Sequence, residues 1–167
     1  METTVTTTAT TEVDIGLGKE SREGTIKILT ALLADEYILY TKTKNYHWNV
    51  TGPDFNELHE FFGKQYEELD EMVDEIAERI RQLGGYATGT LAEFISNARI
   101  KEEPGRYPDA RVMLSNLLSD HEHIIRAIRV DAETVAGKYS DMGTNDFLIG
   151  IMQKHEKMAW MLRAYLE

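Results

Sequence analysis

Between Phe55 and Leu83 the apolar residues Phe62, Tyr66, Leu69, Val73, Ile76, Ile80 and Leu83 follow one another in alternating steps of four and three. That spacing draws one stripe along a helix of about 3.6 residues per turn, and no strand has such a period. The same period runs through TIKILTALLADEYILYTKTKNYHW before it. After it come Met113, Leu117, His121, Ile124 and Ile128, and then FLIGIMQKHEKMAWMLRAYL. Breakers separate the runs: Gly52 and Pro53 in NVTGPD, the pair Gly84-Gly85, and the loops KEEPGRYPD and AGKYSDMGTND. Ser21 reads as the first N-cap, Asp54 as the second, and Pro108 as a first-turn residue of the third long helix. LAEFISNARI adds a brief helix inside the long connection.

The expected fold is therefore all-α: four long helices, with a short extra helix in the connection between helices 2 and 3. One long crossover at that place is the ferritin-like arrangement of a four-helix bundle. Residues 19–167 form this domain, and residues 1–18, METTVTTTATTEVDIGLG, read as a flexible Thr-rich tail. The tail has neither the basic start nor the apolar stretch of roughly 7–15 residues that secretion needs. No run approaches the roughly 20 apolar residues of a membrane span. A cytoplasmic protein that engages no membrane is expected. The chain has no cysteine, so any metal site must be built from His, Asp and Glu. Its net charge is −11 and its tail carries no Lys or Arg, which argues against nucleic-acid binding through that tail.

The chemistry-bearing residues are spread along the second helix. At 100° per residue, Asp74 lies about 60° from His59 around the axis and Glu78 about 100°. All three share a flank beside the apolar stripe, and Asp74 and Glu78, spaced i and i+4, can converge on one cation. A rise of 1.5 Å per residue separates His59 from Asp74 by about 22 Å, whereas a metal–ligand bond is about 2 Å long. One straight helix cannot bring them to one ion. Two copies packed antiparallel about a two-fold axis, crossing near residue 67, can. His47, at the end of the preceding helix, joins from the side of His59. Two imidazoles and two carboxylates suit divalent iron. The alternative is a solvated acidic face along EELDEMVDEIAER, to which Glu67, Glu68, Glu71 and Glu75 belong.

A di-iron site within one bundle would repeat Glu-x-x-His on two helices. Three positions before the histidines stand Lys44, Asn56, Leu118, Asp120 and Met152, and none is a glutamate. His121 and His155 fall on apolar stripes and read as core or interface residues. His123 can pair with Asp120 on the helix surface, and Trp48 and Trp160 read as packing residues.

YHWNVTGPDFNELHEFFGKQYEELDEMVDEIAERI, residues 46–80, resembles the signature of the Dps family, the DNA-binding proteins from starved cells or mini-ferritins. The match covers both histidines, the tryptophan, the N-x-x-G turn, the aspartate and the A-E-R-I ending; HEKMAWMLRAYLE is also similar. The resemblance implies a homododecameric shell with ferroxidase centres at two-fold interfaces, His47 and His59 from one chain and Asp74 and Glu78 from its mate. It further implies that Fe2+ is oxidised by hydrogen peroxide or oxygen, that Fe3+ is stored as mineral, and that oxidative damage is thereby suppressed. Acidic three-fold pores admit iron in the family, and Asp141 and Asp146 are the candidates here. Many relatives carry an acid four positions after the second histidine, where this chain has Gly63, which puts a second iron site in question. DNA compaction, the family's other activity, often relies on a Lys-rich tail that this chain lacks.

Overall fold

The computed structural model describes residues 12–167. Five helices follow in order: α1 Lys19–Asn49, α2 Phe55–Gln82, α3 Leu91–Asn97, α4 Ala110–Gly137 and α5 Met142–Leu166. Among the described residues there is no strand. Short turns join α1 to α2 and α4 to α5, while residues 83–109 cross the bundle and carry α3. Helix α1 packs beside α2 and α4, and α5 beside α4 and α2, so α1 and α5 face each other across the core. The expected all-α, ferritin-like bundle with a short helix in its crossover is the observed architecture.

Three helix starts differ from the sequence expectation. Helix α1 begins after Gly18 rather than at Ser21, with Arg22 N–H donating to the Gly18 carbonyl over 3.0 Å. The added turn is exposed at Lys19 and Glu20, so apolar periodicity does not mark it. Pro108 stands outside α4, because Asp109 is the N-cap and its carboxylate accepts from Val112 N–H at 2.9 Å. Helix α5 starts at Met142, ahead of the apolar run from Phe147, because Asp141 caps it. The tail read over residues 1–18 lies, for residues 1–11, outside the described residues. Residues 12–18 are not helical, and Leu17 packs against the core.

On α2 the inner line is Leu58, Phe62, Gln65, Leu69, Met72, Ile76 and Ile80, all buried. Tyr66 and Val73, expected in the stripe, are only half-buried because, at about 100° per residue, they lie at the edge of this line. The crossover is tied down by a buried acid. Asp35, fully buried on α1, accepts from the Arg99 guanidinium at 2.6 Å and from the N–H groups of Arg99 and Ile100 at 2.5 and 3.3 Å. Arg99 also bridges to Asp131 on α4 at 2.9 Å. Phe94 of α3 stacks on Tyr37 with ring centroids 4.1 Å apart. These contacts pin the crossover and α3 to α1 and α4.

Candidate metal centre

His47 is in the last turn of α1 and His59 in the first turns of α2, on either side of the NVTGPD reversal. Gly52 has φ +122°, a backbone conformation that L side chains rarely adopt, and it lets the chain turn back within five residues. The two rings therefore meet, stacked at 3.8 Å between centroids and 20° between planes.

Their hydrogen bonds are reciprocal. His47 Nδ1 lies 2.6 Å from the His59 carbonyl oxygen, and His59 Nδ1 lies 2.8 Å from that of His47. A carbonyl only accepts, so each ring carries a proton on Nδ1, and in its neutral form Nε2 is the lone pair. Two neutral imidazoles with fixed tautomers are thus presented as ligands, each oriented by a backbone carbonyl as metal-binding histidines commonly are. Phe55 stacks on His59 at 5.3 Å and Tyr66 meets His47 edge-on at 5.2 Å, closing the sides of the pair.

Gly63 sits directly behind His47. A Cβ built there would lie 3.4 Å from His47 Cε1 and 3.5 Å from Nδ1, so a side chain at this position would extend along the imidazole.

Asp74 and Glu78 are exposed farther along α2, and neither makes a hydrogen bond or ion pair among the described residues. Their neighbour Glu75 differs, pairing with Lys154 at 2.9 Å. The single chain brings His47 and His59 together and leaves Asp74 and Glu78 apart from them. Among the described residues no three His, Asp or Glu side chains converge as a cation site.

The apolar surroundings are open. Trp48 is 65% exposed and Phe55 46%, both beside the histidine pair, and Trp160 on α5 is 63% exposed. The expectation that Trp48 and Trp160 are packed is thus not met within one chain. Exposed aromatic surface around a half-built site is what a protein–protein contact requires.

Asp141 and Asp146 separate in role. Asp141 is buried as the α5 cap, accepting from Thr144 N–H at 2.9 Å, from the Thr144 hydroxyl at 2.5 Å and from Arg79 at 3.5 Å. Asp146 is exposed. Asp120 pairs with Lys42 at 2.5 Å, and burial raises its carboxyl against the pull of that ammonium; His123 makes no bond to it. His121 and His155 are fully buried, as expected, but they hydrogen-bond to each other, and His155 also to Glu36, a residue that carries no local signal in the sequence.

The ferritin-like domain family matches residues 26–167. The chain is 46% identical over 155 residues to an uncharacterised low temperature-induced protein of Nostoc, covering 93% of this chain and 87% of that one. It is 39% identical over 142 residues to DNA protection during starvation protein 2 of Bacillus anthracis, covering 84% and 95%. Among solved structures, the Dps protein of Vibrio cholerae, described as a ferritin-like diiron-carboxylate protein, superimposes with a TM-score of 0.87 at 31% identity, covering 96% of this chain and 99% of that one. No helix among the described residues is long and apolar enough to cross a membrane. With its matched crossover bundle and its histidine pair, the chain belongs to the Dps branch of the ferritin-like family.

Proposed function

We propose that this protein is a ferroxidase and iron-storage mini-ferritin of the cytoplasm, working as a homododecamer. The observation that carries the reading is the reciprocal hydrogen bonding of His47 and His59. It fixes two neutral imidazoles with free Nε2 lone pairs at an exposed aromatic face. Antiparallel pairing of α2 with its copy across a two-fold axis brings the partner chain's Asp74 and Glu78 to that face.

The ligand set suits the reaction. Neutral imidazoles bind Fe2+ without excess negative charge, and carboxylates favour the Fe3+ that forms. Two ferrous ions each give one electron to hydrogen peroxide, the O–O bond breaks, and two hydroxides leave with the ferric product. Ferrous iron and peroxide are consumed together, which protects the cell from the radicals they would otherwise produce. The ferric ions then accumulate as mineral inside the shell. Asp141 and Asp146 are the proposed line of iron entry; Asp146 is exposed for that task, whereas Asp141 already serves its helix cap.

Anaerobic protein given Fe2+ and then peroxide should develop ferric absorbance rapidly. Replacing His47 and His59 together by Ala should slow the reaction at least tenfold, and an unchanged rate would remove these residues from the centre. Gel shift at moderate salt tests DNA compaction, for which robust binding would count against the acidic chain reading.

A further inference from the structure

Each long helix buries at least one polar side chain. Glu36 of α1, His121 of α4 and His155 of α5 are fully buried, and Gln65 of α2 is 3% exposed. His155 crosses the α1–α5 diagonal, its Nε2 lying 2.6 Å from Glu36 Oε1, and its Nδ1 lies 2.8 Å from His121 Nδ1. Cross-links set the heights of the other two. Lys42–Asp120 and Tyr46–Asn116 join α1 to α4, and the His47–His59 and Tyr40–Tyr66 pairs join α1 to α2. Both sets put His121 and Gln65 level with Thr41, on the other diagonal of the bundle.

The hydrogen bonds in this core do not close. The Glu36 carboxylate accepts from His155 Nε2–H, and in a neutral imidazole this leaves Nδ1 of His155 as a lone pair. The proton between the two Nδ1 atoms then belongs to His121, and His121 Nε2 is a second lone pair with no donor. Glu36 Oε2 and both amide atoms of Gln65 are also buried without partners. Unsatisfied polar groups in a core are rare. No Lys or Arg among the described residues bonds Glu36, so lone pairs and a carboxylate accumulate there without a cation.

We propose that the bundle core is a second, intrachain site for a divalent transition metal of the zinc or ferrous class. His121 Nδ1 and His155 Nδ1 are its nitrogen ligands, Gln65 Oε1 is the candidate oxygen ligand, and Glu36 orients His155 from behind. The metal takes the place of the proton now shared by the two rings, and that proton moves to His121 Nε2, so both rings stay neutral. Metal–nitrogen bonds of about 2.05 Å at a tetrahedral angle need the nitrogens about 3.3 Å apart, so the 2.8 Å pair opens by roughly half an ångström. A carboxylate accepting from the far nitrogen of a ligating histidine is a recurrent support for such ions. Two imidazoles and an amide form no cluster of three His, Asp or Glu ligands, and they lack the Glu-x-x-His repeat of intrachain di-iron centres. The site is independent of the interfacial centre, since it needs no second chain and uses neither His47 nor His59.

Burial makes the test selective, because a core metal should resist a chelator that strips exposed sites. Shells purified from cells grown with added zinc are washed with a strong chelator, and the zinc retained per chain is measured by elemental analysis. About one resistant zinc per chain is expected, with the same value in the His47→Ala/His59→Ala shell, where the interfacial centre is lost. Glu36→Gln should lower the retained zinc tenfold or more, and His121→Leu should abolish it. Should His121→Leu not assemble, the Glu36→Gln shell decides. No resistant zinc in the parent shell, or full retention in either core variant, would overturn the proposal. Loss in the His47→Ala/His59→Ala shell alone would assign the metal to the interface and overturn it equally.

Discussion

At the scale of single residues, the histidine pair shows why a local motif can be read and a remote one cannot. His47 and His59 flank a five-residue reversal, so their meeting follows from turn chemistry. Glu36 and His155 meet across 119 positions, and nothing local to either announces the other. A weak signal existed: Asp35 and Glu36 lie in ALLADEYILY, with no basic residue within one turn to pair them. Gly63 offers the most direct residue-scale test. Its Cβ position is in ordinary contact with His47, so Gly63→Ala should fold and gain about 1 kcal/mol or less from helix propensity, read as a higher melting temperature. Gly63→Asp places a carboxylate along the imidazole. Anaerobic equilibrium dialysis should then find more Fe2+ bound per chain than in the parent, and equal binding would show that Gly63 does not limit occupancy.

At the scale of elements, the long helices were legible because burial imposes their period, and their ends were not. Lys19, Glu20, Met142 and Gly143 extend helices into solvent, where no apolar pattern records them, and only the caps Gly18 and Asp141 mark the limits. The short α3 is held by a capping box: the Thr90 hydroxyl accepts from Glu93 N–H, and the Glu93 carboxylate accepts from Thr90 N–H. Thr90→Ala should destabilise α3 by about 1 kcal/mol, visible as faster amide exchange over residues 91–97. The bond from the Thr90 hydroxyl, then those from the Gly89 and Thr90 amides, hold Glu93 below the usual carboxyl range. A depressed folded value means that this contribution is complete above the unfolded pKa and is lost as pH falls through the folded one. Protection factors in α3 should accordingly drop on acidification before those of α1. The crossover depends on a heavier interaction. Arg99→Ala leaves Asp35 buried with only two N–H donors, and should cost about 3 kcal/mol, measured as a fall in the denaturation midpoint.

At the scale of the whole molecule, the single chain is visibly unfinished. Trp48, Phe55 and Trp160 are exposed, and the ligands of the proposed centre lie at two separate places, His47 and His59 about the α1–α2 turn and Asp74 and Glu78 farther along α2. The bundle and its crossover were readable from periodicity and breakers. That the histidines and the acids stand too far apart for one chain to complete the centre was readable from helix rise alone. A shell of twelve 19.1 kDa chains should run near about 230 kDa by native mass measurement. The central claim, that each centre takes its imidazoles from one chain and its carboxylates from another, has a sharper test. The His47→Ala/His59→Ala chain and the Asp74→Ala/Glu78→Ala chain should each form inactive shells. Co-expressed in equal amounts, they place intact histidines opposite intact acids at one of the two centres of every mixed interface. Random two-fold pairing then restores about a quarter of the centres. Peroxide-driven ferric absorbance in the mixed shell should rise to about a quarter of the parental rate, whereas a mixed shell as inactive as its components would contradict a centre shared between chains.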